Sequence, residues 1–181
     1  IYAALNGRVM SSMKDQRVKA ETILKGPAVK SFDLGTPADG MAPLMDAMVL
    51  ACMASYAQGM ELLRIASAEH DYNLNMPSIA QIWKGGCIIR ARLLKRIQDA
   101  FTTDPQLNNL LIDPWFADQV NTRLPGLAQV VAGAAEAGIP VPCLSNTLDY
   151  INSYRTARLP QNAVQAMRDC FGSHTYQRVD K

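Results

Sequence analysis

The chain has 181 residues, 49% apolar and 19% charged, which suits a folded domain of ordinary size and excludes a disordered or fibrous chain. Eighteen basic against sixteen acidic residues leave a net charge of +2, too small for general affinity to nucleic acid or an anionic membrane. No stretch reaches the roughly 20 apolar residues of a membrane span, because the longest candidate, Ala47 to Met60, is flanked by Asp46 and Glu61.

Residues 1–24 carry Leu5, Val9, Met10, Met13, Val18 and Ile23 at three- and four-residue steps, which predicts one amphipathic helix ended by Gly26-Pro27. From there to Gly40 the glycines and prolines predict a surface loop. A long helix follows over about 41–71. Nothing between Ala47 and Met60 is charged, so its broad and narrow faces must both be covered, in the domain centre or in a subunit interface. Ala51, Ala54, Ser55, Ala57 and Gly59 would let a neighbour approach closely.

Asn75-Met76-Pro77 predicts a turn into a helix continuing from Ser78 to Lys84, which Gly85-Gly86 interrupts. The next predicted helix, Cys87 to Phe101, turns Ile88, Ile89, Leu93, Leu94 and Ile97 inward and Arg90, Arg92, Lys95, Arg96 and Asp99 outward. Asp104-Pro105 and Asp113-Pro114 each offer an aspartate N-cap with proline at the first helical position. They predict a short helix to Leu111 and a longer one to Ala137, kinked or split at Pro125-Gly126. Pro142 opens a helix to about Arg158, and the last helix covers Gln161 to Cys170 before Gly172 releases a tail. No strand pattern is found. The fold class is all-α.

Cys52, Cys87, Cys143 and Cys170 lie far apart, and His70 and His174 are the only histidines, so neither a disulfide framework nor a zinc or multi-histidine centre is expected. A reducing cytoplasm fits this cysteine usage. The first residue is Ile1 and the opening helix contains charges, unlike a signal peptide, so the chain reads as a fragment or a processed product. No G-x-G-x-x-G, P-loop, G-x-S-x-G or H-E-x-x-H pattern occurs.

Three groups of side chains could carry chemistry. Lys84, Arg92 and Arg96 share one helix side with Lys95 and could meet a phosphate backbone, but Asp99 lies four residues after Lys95 and no aromatics interleave. A solvated or ion-paired face is the better reading. Arg168-Asp169-Cys170-Phe171-Gly172-Ser173-His174-Thr175-Tyr176 places a guanidinium and an imidazole around a helix end, a pairing that can grip a phosphate or carboxylate. On residue types alone, a surface arginine and a structural histidine are the more ordinary outcome. Arg17 has Ser11, Lys14 and Gln16 on nearby turns; helical ion pairing is its default, but Lys14 and Asp15 are adjacent and cannot face each other, which is a modest argument for an arginine open to an external anion. Trp83, Trp115, Tyr56, Tyr150 and Tyr154 read as core aromatics.

Taken together, SSMKDQRVKA at 11–20, SYAQGMELLR at 55–64, IAQIWKGGCIIR at 79–90, GIPVP at 138–142 and QAMRDCFGSHTY at 165–176 resemble the 6-phosphogluconate dehydrogenases. They fall in that family's order along the whole chain. The resemblance implies the helical C-terminal domain of an NADP-dependent enzyme that oxidises and decarboxylates 6-phosphogluconate to ribulose 5-phosphate and carbon dioxide in the pentose phosphate pathway. It implies a cytoplasmic homodimer, with residues 1–171 as the substrate-binding and dimerisation domain and 172–181 as a tail. The nucleotide-binding domain, the catalytic lysine and glutamate, and most of the NADP site belong to a preceding part of such an enzyme, so the chain alone is expected to be inactive.

The resemblance also gives three residues a role. Arg17 matches the arginine that holds the substrate phosphate within its own subunit. Arg168 and His174 match the pair that reaches into the partner subunit's site. The sequence departs from the family at Cys170, where an aromatic residue is common, and at Pro125. A non-catalytic helical dimerisation module that kept the fold is the rival reading.

Overall fold

A helix with no charge across its middle must find a neighbour, and in the computed structural model, which describes residues 2–27 and 41–178, that neighbour is a second long helix. The order is α1 (Tyr2–Ser12), α2 (Lys14–Ile23), α3 (Met41–Glu69), α4 (Met76–Ile82), α5 (Leu93–Thr103), a 3-10 turn (Leu110–Ile112), α6 (Pro114–Glu136), α7 (Pro142–Tyr154) and α8 (Asn162–Gly172). The described residues form no strand, as the sequence predicts. None of these helices is long and apolar enough to cross a membrane. The expected loop up to Gly40 lies, over 28–40, outside the described residues.

The chain forms two compact units, one ending at Leu148 and the other beginning at Asp149. In the first, α3 packs along α6, α4 packs on α5, and the 3-10 turn touches both α3 and α6. Ala47, Leu50, Met53, Ala54, Ala57 and Met60 of α3 are buried, as are Phe116, Val120, Leu127, Val130 and Ala134 of α6. Each large side chain among them contributes about 1.5–3 kcal/mol through burial. Away from this buried stripe, α3 exposes Met41, Met45, Met48 and Leu62 among the described residues, and Ile65 near its C-terminal end is exposed too.

α6 meets α3 closely at Gly126, where an added Cβ would lie 2.7 Å from Asp46 Oδ2 and 2.9 Å from Asp46 Cβ. Arg123, one turn earlier, faces the same carboxylate at 3.6 Å. Pro125 lies inside α6, so of the two expected outcomes, a kink or a split, the helix is not split. Pro125 is exposed, as is Asn121 four residues before it, so the carbonyl deprived of an N–H donor meets solvent. At the start of α6, Asp113 Oδ1 accepts from the amides of Trp115 and Phe116 at 3.0 and 3.2 Å, the cap the sequence predicts. Asn75 caps α4 in the same way, accepting from Ser78 at 2.9 Å.

Several expected helices are shorter or broken, and polar contacts accompany most of the changes. Residues 87–92 are not helical, so α5 starts at Leu93; Ile88 is fully exposed and Ile89 is 42% exposed rather than inward. Gly86 takes φ +65°, and the Tyr56 hydroxyl donates to the Ile89 carbonyl, an acceptor that a helix would have used itself. Asp104 turns the chain instead of capping a helix, its carboxylate accepting from the Gln106 amide at 2.9 Å. Asn109, 1% exposed, then accepts from Leu111 at 2.9 Å and donates to Glu61 of α3 at 3.0 Å, so only a 3-10 turn forms before Asp113.

The opening helix is likewise broken at Met13, and neither half buries a residue, so the predicted apolar face from Leu5 to Ile23 is uncovered. α7 stops at Tyr154 rather than near Arg158, and α8 runs on through Gly172. The five aromatics predicted for the core are partly exposed instead, with Tyr154 at 41%. All four cysteines are free thiols, and no cluster among the described residues could hold a metal.

Two substitutions test this account of the α3–α6 core. Gly126→Ala drives a methyl into Asp46 and is expected to cost about 1–3 kcal/mol, read as a lower urea midpoint at unchanged m-value. Asp113→Ala strips the cap from α6 and is expected to cost about 1–2 kcal/mol by the same measurement.

Candidate functional site

The break between α1 and α2 explains where Arg17 points. Met13 sits at φ −91°, ψ 44°, which interrupts the hydrogen-bond ladder and frees the carbonyls of the last turn of α1. Arg17 Nε donates to the Met10 carbonyl at 3.0 Å and an Nη to the Ser11 carbonyl at 3.3 Å. The sequence leaves Arg17 open to an external anion; the structure commits two of its nitrogens to capping α1. Its guanidinium nonetheless lines a hollow of about 720 Å³, together with Asn6, Ser11 and Ser145 and the apolar Ile139-Pro140-Val141-Pro142 segment. Lys14 and Gln16 do not line it.

In the unit that begins at Asp149, Arg168 and His174 come together. α8 ends on Gly172, and Ser173 follows in the left-handed region at φ 53°, its amide returning to the Asp169 carbonyl at 2.8 Å. Thr175 is left-handed too, at φ 60°. Each such non-glycine residue costs on the order of 1 kcal/mol and persists where its surroundings hold it. Asp169 Oδ1 accepts from the Thr175 amide at 2.7 Å, and Gln165 Nε2 donates to the Thr175 carbonyl at 2.6 Å.

The tail therefore reverses onto the helix that precedes it and lays the His174 ring over Gly172, where an added Cβ would lie 3.0 Å from His174 Nε2. Val164, Met167, Arg168, Phe171, Gly172 and His174 line a hollow of about 300 Å³. Arg168 Nη1 donates to Gln165 Oε1 at 3.3 Å, and both Arg168 and His174 are exposed. A guanidinium and an imidazole on one small apolar-floored hollow can meet the oxygens of one anion.

Residue types and spacing single out Arg168 and His174 but not the roles of Gln165 and Asp169. The three-residue step from Gln165 to Arg168 is visible in a helix; the pairing of Asp169 with Thr175 exists only once the tail turns back.

Three basic side chains in and near α5 have partners. Lys95 pairs with Asp99 as expected, Lys84 donates to Gln81 and Gln98, and the Arg96 guanidinium lies 5.0 Å from the Trp115 ring centre. A third hollow of about 560 Å³ lies between α3 and residues 83–93, with Cys52, Tyr56 and Trp83 on its walls. Burial, with smaller contributions from Cys52 and Cys87, pushes the Tyr56 phenol above its ordinary range, so it stays a donor to Ile89.

Comparison with known proteins gives these geometries a context. Residues 1–181 match the family described as 6-phosphogluconate dehydrogenase, C-terminal domain. The decarboxylating 6-phosphogluconate dehydrogenase of Synechocystis sp. is 51% identical over 181 residues, all of this chain and 37% of the relative. The Escherichia coli enzyme is 45% identical over the same span and is 38% covered. A solved Plasmodium falciparum 6-phosphogluconate dehydrogenase, studied in apo form and in complexes with NADP+ and with 6-phosphogluconate, superposes with a TM-score of 0.91 at 39% identity. That comparison covers 99% of this chain and 38% of the other. The chain thus spans a little over a third of the length of these relatives. Matched from end to end in sequence and in helical architecture, the chain belongs to the 6-phosphogluconate dehydrogenase C-terminal domain family.

Proposed function

We propose that this chain is the helical domain of an NADP-dependent, decarboxylating 6-phosphogluconate dehydrogenase and serves it by holding the phosphate end of the substrate. The observation that carries the reading is the convergence of Arg168 and His174 on one hollow. Arg168 is assigned the phosphate oxygens, which a guanidinium engages with two parallel N–H donors. His174 adds a donor to the phosphate or the adjoining sugar hydroxyls. Arg17, anchored by its two backbone bonds, presents the rest of its guanidinium from a fixed position to the substrate of its own subunit.

Such contacts lie far from the reacting carbon. Their chemical contribution is orientation, because binding energy gathered at the phosphate places the other end of the sugar acid for reaction. Among the described residues there is no strand and no glycine-rich turn entering a helix of the kind that holds a dinucleotide in a βαβ unit. The reading assigns NADP, and the base and acid of the reaction, to parts of the enzyme other than this chain.

The same reading includes a homodimer. Met41, Met45, Met48 and Leu62 leave one side of α3 apolar and exposed, and a second copy is the partner assigned to it. In such a dimer Arg168 and His174 are assigned to the site of the opposite subunit.

In the complete enzyme, Arg168→Ala is expected to raise KM for 6-phosphogluconate by about 10-fold to 100-fold, the worth of a lost charge-assisted hydrogen bond. KM for NADP should stay near the parent value; unchanged substrate kinetics would remove the phosphate assignment. Arg17→Ala should raise the same KM and also lower the helical signal from α1, because the carbonyls of Met10 and Ser11 lose their cap. Circular dichroism beside steady-state kinetics separates the two effects.

A further inference from the structure

Arg168 and His174 sit six residues apart across a helix end, and nothing in α8 itself would bring an imidazole back to the turn that carries the arginine. The return is made by two side chains that do not face the hollow as donors to a ligand. Gln165 is bifunctional: its Nε2 donates to the Thr175 carbonyl at 2.6 Å, while its Oε1 accepts from Arg168 Nη1 at 3.3 Å. One amide group therefore holds both the tail and the guanidinium, and its orientation is fixed by having a donor need on one side and an acceptor need on the other. Asp169, half-buried, spends Oδ1 on the Thr175 amide at 2.7 Å. Between them they take both backbone groups of Thr175, the residue after His174 and one of the two left-handed residues that bracket it.

We propose that Gln165 and Asp169 are positioning residues for the anion site, clamping Thr175 so that His174 and Arg168 address the same ligand. The inference rests on the phosphate-binding reading of Arg168 and His174. It assigns Asp169 a role through hydrogen-bond acceptance and not through its charge. A carboxylate whose negative charge mattered at an anion site would oppose binding, whereas an acceptor engaged by a backbone amide is neutralised in part by that bond. Two consequences have opposite signs from those of a charge-based role. Asp169→Asn keeps an oxygen that can accept from Thr175, and Gln165→Glu replaces the donor to the Thr175 carbonyl with a repelling oxygen while placing a carboxylate against Arg168.

The test is steady-state kinetics of the complete enzyme with 6-phosphogluconate, alongside amide hydrogen exchange at Thr175 in the same variants. Asp169→Ala is expected to raise KM for the sugar acid about tenfold, in the range of a lost hydrogen bond to a charged group, with kcat far less affected and Thr175 exchanging faster. Asp169→Asn should recover most of that affinity and protection. Gln165→Glu should be worse than Gln165→Ala in KM, because its carboxylate competes with the ligand for Arg168. A parent-like KM in Asp169→Ala, or a raised KM with Thr175 as protected as before, would overturn the clamp. So would an Asp169→Asn enzyme as impaired as Asp169→Ala. Arg168→Ala run in parallel keeps the two levels apart: if it too leaves KM unchanged, the phosphate reading falls and the clamp falls with it; if it raises KM while Asp169→Ala does not, the clamp alone fails.

Discussion

An uncharged run from Ala47 to Met60 in the middle of a 29-residue helix cannot be left to water on every side, and the packing of α3 along α6 is how this chain meets that constraint. The covered stripe is made of alanine, leucine and methionine, and Gly126 lets Asp46 come close by carrying no Cβ at all. The charges that border the apolar run are used as well. Asp46 faces Arg123 of α6, and Glu61 accepts from the buried Asn109, so both ends of the run are tied to neighbouring elements by polar contacts. Burial supplies most of the stabilisation, and these contacts fix which neighbour lies where.

The residues with a chemical reading all stand where a helix stops. Helix ends leave backbone donors and acceptors that something must satisfy. At Met13 the freed carbonyls are taken by Arg17, which fixes a guanidinium in place. After Gly172 the freed chain is caught by Asp169 and Gln165, which returns His174 to Arg168. At residues 87–92 the Ile89 carbonyl is claimed by Tyr56, and a predicted helix becomes an irregular segment against α3. Interruption of regular structure is thus the means by which a helical domain presents polar groups at fixed positions.

Much of this organisation is legible in the chain itself, because helix periodicity and capping are local. The spacing of Leu44, Met48, Cys52 and Leu62 foretells α3, and Asp113-Pro114 foretells both the start of α6 and the residue that caps it. The candidate anion ligands are visible as residue types, and their pairing as function follows from likeness to relatives rather than from spacing. Expectations fail where a local rule meets a distant competitor. Pro125 ought to break a helix, yet its exposed position spares it. Ile88 and Ile89 ought to be inward, yet Gly86 and a tyrosine 33 residues away along the chain turn their segment out of helix.

The amino-acid sequence by itself therefore determined the helical class and the placing of most helices, since each depends on residues within one or two turns of one another, whereas the three candidate ligands are named through likeness to a family. The tertiary structure alone decided which face of α3 is covered, that Arg17 caps a broken helix, and that His174 comes back over Gly172. Those outcomes are choices among partners for the same carbonyl, amide or apolar face, and only a folded chain brings the competing partners within reach.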